Sequence, residues 1–179
     1  MSTLHIYRDT SAVDPEILTD KTAMAKALHA IGIEYQQWSC EGELARDATQ
    51  EEVLAAYAEQ VKRVQEQGSF ETADVIGLTP DHPDKDAMRE KFLSEHRHSD
   101  DEVRFFIEGA GLFYLHVDER VYGVLCTAGD YISIPANTPH WFDMGPEPAF
   151  RCIRFFTDPA GWVAQYTGSD IADHYPRFE

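Results

Sequence analysis

The stretch that decides the fold is residues 101–117, which read Asp-Glu-Val-Arg-Phe-Phe-Ile-Glu-Gly-Ala-Gly-Leu-Phe-Tyr-Leu-His-Val. Val103, Phe105 and Ile107 occupy alternate positions, and alternation of this kind is the period of a β-strand. Gly109-Ala-Gly111 interrupts the pattern and favours a turn. The stretch therefore predicts a β-hairpin made of two short strands.

The same pattern of short strands and turns continues on the C-terminal side. Asp118-Glu-Arg120 and Ala128-Gly-Asp130 provide the next turns. Strands are predicted over residues 103–108, 112–117, 121–126, 131–134, 140–144 and 150–156. Several short strands at this even spacing indicate an antiparallel sandwich or barrel. Five phenylalanines are interpreted as its core, namely Phe105, Phe106, Phe113, Phe155 and Phe156.

The first 93 residues instead predict a mixture of helix and strand. Asp20 is an N-cap candidate for a first helix that ends before Gly32. Thr49-Gln-Glu-Glu52 fits a capping box and opens a second helix, which runs without a break to Gly68. Asp84 is an N-cap candidate for a third helix. Short extended segments are expected at residues 3–7 and 33–38, and the buried side of the third helix is expected to carry Met88, Phe92 and Leu93.

We expect one domain over residues 1–179. Residues 1–93 form a helix and strand part packed on the outside of the barrel, residues 94–157 form the barrel, and residues 158–179 form a tail that docks back onto the body. The length agrees with this division, because domains usually contain about 100–200 residues. The fold class predicted is mainly β with peripheral helices.

Charge and composition limit the partners. The chain has 32 acidic and 15 basic residues, so its formal net charge is −17. That field repels phosphate backbones and anionic lipid surfaces, which argues against nucleic acid and membrane partners. No apolar stretch approaches the roughly 18 residues of a membrane span, and the N-terminus lacks the features of a signal peptide. Three separated cysteines favour reduced thiols, and we expect a cytoplasmic monomer.

The chemistry of the chain lies in four residues. His96 and His98 are two positions apart, so in a strand both imidazoles point to the same face. Glu102 follows a turn-prone triplet, Ser99-Asp-Asp101, and can return a carboxylate to the same side. His140 comes from a later strand, and strands distant in sequence face one another across a barrel. Three nitrogens and one carboxylate can therefore converge on one metal ion.

The predicted ligand set narrows the choice of metal. Structural zinc prefers four closed ligands, usually with thiolate, whereas iron(II), nickel(II) and manganese(II) accept nitrogen and oxygen ligands with positions left open. Two adjacent open positions suit a substrate that chelates through two oxygens. One protein carboxylate leaves a divalent site net positive, so it can hold an anion within an acidic protein. The other histidines are not expected to bind metal; they are His5, His29, His82, His116 and His174.

At this point the sequence resembles a known family. The segment from His96 through Glu102 to Gly109 resembles the first cupin motif without its leading glycine, and residues 129–135 with His140 resemble the second. Asn137 and Met144 depart from that second motif, where many cupins have glycine and asparagine. More specifically, residues 91–98, 101–113 and 134–145 look like acireductone dioxygenase of the methionine salvage pathway, and the likeness extends over nearly the whole chain.

The resemblance implies a cupin barrel of the jelly-roll type with helices outside it. It implies a substrate, 1,2-dihydroxy-3-keto-5-methylthiopentene, that is cleaved with O₂. With iron the implied products are 4-methylthio-2-oxobutanoate and formate; with nickel they are 3-methylthiopropanoate, formate and carbon monoxide. The implied cofactor is one Fe(II) or Ni(II) per chain.

The resemblance also assigns roles to particular residues. It carries the metal ligands onto His96, His98, Glu102 and His140. Glu95 and Asp101 match positions suggested to assist metal incorporation, although a solvated turn is the simplest explanation of Asp101. Arg104 matches the position held to favour the substrate dianion, with a surface salt bridge as the alternative.

Several details stay open at this level. Arg104 is one residue out of phase with Val103 and Phe105, and the alternation does not say which set faces the site. A pocket for the methylthio chain could include Phe92, Phe142 and Trp162, with Arg154 as a second candidate for binding the oxyanion. Two other functions remain possible: a metal-dependent cupin isomerase of a sugar or keto acid, and a cupin that binds a ligand without turnover. Oxygen consumption separates them from a dioxygenase.

Overall fold

The computed structural model describes residues 1–40, 44–68 and 70–179, with Pro159 and Trp162 described only through their backbone. The strands are β1 (Thr3–Arg8), β2 (Ser11–Leu18), β3 (Glu34–Gln37), β4 (Thr72–Leu78), β5 (His96–Arg97), β6 (Glu102–Val117), β7 (Arg120–Thr127), β8 (Asp130–Ile134), β9 (His140–Asp143), β10 (Phe150–Phe156) and β11 (Gln165–Tyr166). The α-helices are α1 (Lys21–His29), α2 (Gln50–Ala56), α3 (Ala58–Gln67) and α4 (Lys85–Leu93).

Strand β6 organises the barrel because it belongs to two sheets. Its first half pairs with β8 and β10, and its second half pairs with β7 and β9. One sheet has the order β11-β5-β9-β6-β7-β1-β2, and the other contains β4, β10, β6, β8 and β3. All of these pairings are antiparallel. The predicted fold, a mainly β cupin barrel with peripheral helices, is confirmed.

The bend in β6 lies at Gly109. The register between β6 and β10 shifts just before this glycine, since Glu108 is opposite Arg151 but Phe106 is opposite Cys152, which leaves Ile107 as the extra residue in β6. Gly109 has a φ of +67°, and an added Cβ would come within 1.7 Å of the Ala149 carbonyl oxygen. The predicted hairpin turn at residues 109–111 is therefore wrong. The β-bulge at Ile107 and the positive φ of Gly109 bend one continuous strand, which leaves β8 and β10 and then pairs with β7 and β9.

Two apolar layers lie on opposite faces of this strand. The barrel interior holds residues from both sheets, including Leu4, Phe106, Phe113, Ile132, Phe142 and Cys152. The second layer fills the space between the sheet and helices α2 and α3, and it contains Val53, Tyr57, Val64, Val103, Phe105 and Phe155. Phe105 and Phe155 are fully buried core residues, as predicted, and they belong to the layer under the helices and not to the barrel interior.

The helix boundaries follow local capping chemistry. The Asp20 side chain accepts a hydrogen bond from the Ala23 amide at 2.9 Å, and Gly32 follows the helix with a φ of +81°. The capping box of Thr49 and Glu52 is formed as predicted. Helix α4 begins after Asp84, but the Asp84 side chain makes no capping hydrogen bond.

The predicted continuous helix over residues 49–68 is broken at Tyr57. This residue has φ −110° and ψ 27°, outside the helical range, and it separates α2 from α3. Its ring is buried edge-on against Phe105, with the ring centroids 5.6 Å apart. The kink brings both Val53 and Val64 onto the same apolar layer. Tertiary packing thus overrides the simple helical period at this point.

The sequence analysis missed the short strand β11 and two longer strands, β2 and β4. Strand β2 lies at the edge of its sheet, where Pro15, which has no backbone N–H to donate, is tolerated. Strand β4 pairs along its whole length with β10. Neither segment has the clear alternation of apolar residues that marks a half-buried strand.

The tail docks onto the body as predicted. Strand β11 pairs with β5, the Tyr175 hydroxyl donates to the Arg8 carbonyl at 2.7 Å, and the Phe178 amide donates to Asp143 at 3.0 Å. Among the described residues, no helix has the length and apolar character needed to cross a membrane.

Candidate metal centre

The four predicted ligands come from three neighbouring strands and one turn. His96 in β5 lies directly opposite His140 in β9, and His98 follows two residues after His96. Glu102 is the first residue of β6. All four are buried, with exposed fractions of 1–5%. Buried charged and polar groups are costly unless they are paired or bind a metal, so this cluster marks a functional site.

The ligand atoms of these residues converge on one point. One ring nitrogen from each of His96, His98 and His140 lies within 4.8 Å of the other two. Glu102 Oε2 lies 2.8 Å from His140 Nε2 and 3.3 Å from His98 Nε2. The structure therefore brings the four residues together in the arrangement that a shared cation requires.

Backbone carbonyls fix the orientation of the three imidazoles. In each ring Nδ1 faces a carbonyl oxygen, so a neutral imidazole carries its proton on Nδ1 and presents the Nε2 lone pair to the centre. The three contacts are His96 with Ser94 at 2.7 Å, His98 with Val163 at 3.4 Å and His140 with Thr138 at 2.8 Å. A metal ion needs this tautomer.

The unsatisfied atoms at the centre fit a metal ion. Among the described residues, Glu102 Oε2 and His140 Nε2 are both buried and neither has a hydrogen-bond partner. Because the His140 proton is on Nδ1, these two atoms face each other as acceptors only 2.8 Å apart. Two acceptors at this distance repel each other unless a proton or a metal ion lies between them. The site therefore fits a divalent metal bound by nitrogen and oxygen.

The electrostatics keep two of these groups, His96 and Glu102, deprotonated. Burial, followed by the neighbouring His140, lowers the pKa of His96 to about 4. Burial opposes ionisation of Glu102, but the positive charge of Arg104 and the adjacent imidazoles hold its pKa well below the usual range. Metal ligands must be deprotonated, and these groups already are at neutral pH.

The structure shows on which face of β6 the Arg104 side chain lies. Val103 and Phe105 point to the helices, so Arg104 points into the barrel together with Glu102. Its Nε and Nη2 each lie 2.8 Å from Glu102 Oε1. Arg104 is only 4% exposed, so the alternative of a surface salt bridge is wrong. Its guanidinium lies over the Phe142 ring, 5.0 Å from the centroid.

The acidic residues beside the ligands are also held in place. Asp101 Oδ1 accepts a hydrogen bond from the Ala136 amide at 2.8 Å, and the Asn137 amide donates to the His98 carbonyl at 2.7 Å. These contacts fix the loop before His140, so Asp101 is more than a solvated turn. Asn137 has a φ of 65°, which asparagine tolerates better than most residues and which explains its occurrence at a glycine position.

One contact at the site escaped the sequence analysis. Glu95 Oε2 lies 2.7 Å from His116 Nδ1, although His116 was not expected to have a partner at useful spacing. The two residues are 21 positions apart and meet only through strand pairing. No local sequence signal could have shown this contact.

The four predicted pocket residues occupy different environments. Phe142 is 2% exposed and packs on Phe113 in the barrel interior, and Phe92 is partly buried against the same layer. Arg154 makes two hydrogen bonds to Asp74 in β4, at 2.8 and 2.6 Å. The side chain of Trp162 lies outside the described residues.

These observations define a class: a metal-binding cupin with a cluster of three histidines inside its barrel, beside which Glu102 lies. Comparison with known proteins places the chain within that class. The model of the ARD/ARD' family matches residues 3–164, and the chain belongs to this family.

Relatives of high similarity cover almost the whole chain. It is 53% identical over 180 residues to acireductone dioxygenase of Hahella chejuensis, covering 100% of this chain and 97% of the relative. It is 57% identical over 160 residues to acireductone dioxygenase of Alcanivorax borkumensis, covering 89% and 88%. The structure is similar to that of acireductone dioxygenase from Bacillus anthracis with a cadmium ion in its active centre. That similarity has a TM-score of 0.82 at 28% identity and covers 93% of this chain and 98% of the other.

Proposed function

We propose that this chain is an acireductone dioxygenase of methionine salvage. It cleaves 1,2-dihydroxy-3-keto-5-methylthiopentene with O₂ and uses one Fe(II) or Ni(II), held by His96, His98, Glu102 and His140. The observation that carries the proposal is the pair of facing buried acceptors, Glu102 Oε2 and His140 Nε2, among three imidazoles. The high identity to acireductone dioxygenases over the full chain supports the substrate class.

The bound ion supplies Lewis-acid chemistry, because it lowers the proton affinity of the enediol and fixes which of its oxygens are bound. The protein sets the charge of the centre. Three neutral imidazoles and one carboxylate leave a divalent ion with net positive charge. The site therefore attracts an anionic substrate although the chain as a whole carries −17.

Arg104 extends this positive field. Its guanidinium holds Glu102 ionised and adds a permanent charge on the same face of β6. The rings of Phe113 and Phe142 border the guanidinium at 5.4 and 5.0 Å, which excludes water and strengthens the electrostatic interaction. We propose that Arg104 favours the dianionic form of the substrate, which is the form rich enough in electrons to react with O₂.

The identity of the metal selects the products in this proposal. Iron gives 4-methylthio-2-oxobutanoate and formate, and nickel gives 3-methylthiopropanoate, formate and carbon monoxide. Nitrogen and oxygen ligands discriminate weakly among these ions. Glu95 and Asp101 are proposed to assist metal incorporation, and Phe92, Phe142, Arg154 and Trp162 to border the substrate.

The remaining proposals concern the state of the protein. We propose a single-domain, cytoplasmic monomer without nucleic acid or membrane partners. The three free thiols, Cys40, Cys126 and Cys152, support a reducing compartment. The strong negative charge supports the absence of nucleic acid and anionic membrane partners.

The proposal is tested by adding substrate anaerobically to metal-analysed protein and then admitting O₂. Oxygen consumption with cleavage products supports a dioxygenase. Isomerised substrate without oxygen uptake indicates the isomerase, and binding without turnover indicates a non-catalytic cupin. The same assay is applied to His140→Ala, which removes one ligand; full metal content and activity in that variant would exclude His140 from the site.

A further inference from the structure

We infer that His116 and Thr167 are positioning residues of the metal centre, which act on His96 through Glu95. The inference rests on the proposed function only in that the centre holds a divalent metal ion. Neither residue belongs to the ligand set, and neither is close to His96 in the sequence.

The strand that carries His96 has little backbone support. Strand β5 contains only two residues, whereas strands usually have about 3–10. It pairs with β9 through the single pair His96 and His140, and with β11 through two residue pairs. Strand β11 is itself only two residues long. So few ladder hydrogen bonds fix a ligand poorly, and side-chain contacts must supply the remaining restraint.

Glu95 provides such contacts from the opposite face of β5. Adjacent strand residues point to opposite faces, so its carboxylate points away from the metal centre. Glu95 is 4% exposed, and both of its oxygens have partners. Oε2 lies 2.7 Å from His116 Nδ1, and Oε1 lies 2.7 Å from Thr167 Oγ1. The Thr167 amide also donates to the Glu95 carbonyl at 3.1 Å.

His116 connects this carboxylate to the second histidine strand. Its backbone amide donates to the Pro139 carbonyl at 2.9 Å, and Pro139 immediately precedes His140. Its neighbour Leu115 is opposite His140 in the pairing of β6 with β9. His116 therefore holds the strand of His96 with its side chain and the strand of His140 with its backbone.

Thr167 connects the same carboxylate to the tail. It follows Tyr166, which pairs with His96 and whose ring lies edge-on to the imidazole, with centroids 6.0 Å apart. The carboxylate thus joins three chain segments around one ligand. Outer partners that orient metal ligands typically contribute 10–100-fold to metal affinity or activity, and we expect His116 to be in this range.

The test measures the dissociation constant of Ni(II) by competition with a chelator. His116→Leu removes the donor at similar volume and should raise the constant by about 10–100-fold. His116→Asn keeps an amide N–H near the Nδ1 position and should restore most of the affinity. The matched control is His5→Leu: His5 is also partly buried, and its Nδ1 lies 3.3 Å from the Tyr7 hydroxyl, on β1 away from the centre. It should bind Ni(II) like the parent chain.

A second pair keeps the test decisive if His116→Leu does not fold. Thr167→Val removes one hydroxyl at constant shape and should weaken binding, whereas Thr167→Ser should not. The visible absorption of the Co(II)-loaded variants should change with affinity, because it reports the ligand geometry directly. Affinities within twofold of the parent chain, or equal losses in His5→Leu, would overturn the inference. Failure of the parent chain itself to bind Ni(II) would instead overturn the proposed function.

Discussion

Replacement of Arg104 by methionine gives the sharpest test of how the centre is built. The change removes the guanidinium that lies 2.8 Å from Glu102 Oε1 through both Nε and Nη2, and it leaves the carboxylate 2% exposed and without its cation. Removing one partner of a buried ion pair usually costs about 3–5 kcal/mol, because the other charge stays buried and unpaired. In the metal-free protein we therefore expect a loss of stability of this size, or uptake of a proton by Glu102.

The consequence for metal binding follows from that proton. The pKa of Glu102 now lies well below its usual range because Arg104 and the imidazoles outweigh the effect of burial. Without Arg104 the pKa rises, so the metal must compete with a proton for the carboxylate. We expect Ni(II) affinity at neutral pH to fall by about 10–100-fold, with the loss becoming smaller as the pH is raised. In fully loaded enzyme, kcat should also fall by about 10²–10³.

The assays are chelator competition at several pH values, urea unfolding of the metal-free protein, and steady-state kinetics on metal-saturated enzyme. Arg151→Met is the matched control. Arg151 also pairs with a glutamate of β6, at 2.8 Å, but the Glu108 side chain is 47% exposed and can be solvated by water. The control should lose only about 0–1 kcal/mol from this ion pair and keep its metal. Parental affinity and kcat in Arg104→Met would refute the reasoning.

Three further expectations concern pH, backbone and metal. Burial and the nearby His140 lower the pKa of His96 from 6.5 to about 4. The metal-free protein should therefore lose about 3 kcal/mol of stability as the pH falls from 6.5 towards 4, because the unfolded chain binds a proton at this imidazole that the folded chain does not. Urea unfolding of the parent chain and of His96→Leu checks this, and an unchanged pH dependence in the variant contradicts it. Gly109→Ala should destabilise far more than Gly168→Ala in thermal unfolding. Both glycines have positive φ, which costs about 1–3 kcal/mol for alanine, but only the first would place its Cβ 1.7 Å from a carbonyl oxygen. Equal losses would argue against the close approach of the Ala149 carbonyl to Gly109. One metal-free preparation, divided and reloaded with Fe(II) or Ni(II), should release carbon monoxide only with nickel, and identical product ratios at full loading would mean that pocket residues select the product.

The sequence alone was sufficient to predict those features that depend on interactions between residues close together in the chain. The capping contacts of Asp20 and of Thr49 with Glu52 involve residues three positions apart, and they form as predicted. The pair His96 and His98 shares one face because strand geometry repeats every two residues. The glycines at 109 and 111 correctly marked a change of direction, but a tight turn and a bend within a continuous strand both use glycine. Only the pairing with β10 distinguishes the two.

Only the tertiary structure shows which way a side chain points when both faces of its strand are buried. Arg104 could not be oriented from sequence, because Val103 and Phe105 lie under the helices while Arg104 and Phe106 line the interior, so the alternation has no solvent side. The kink at Tyr57 likewise follows from packing on Phe105.

The register of the strand pairs determined which side chains meet around the histidine cluster. The contact between Glu95 and His116 depends on how β5, β9 and β6 align, and a shift of one residue would turn each of these side chains to the other face. The sequence by itself identified the candidates for binding a metal, because that prediction rests on their chemical types and, for His96, His98 and Glu102, on their local spacing. Which residues contact the segments that carry those candidates was decided by the tertiary structure, because those contacts join segments that meet only after the sheets have closed.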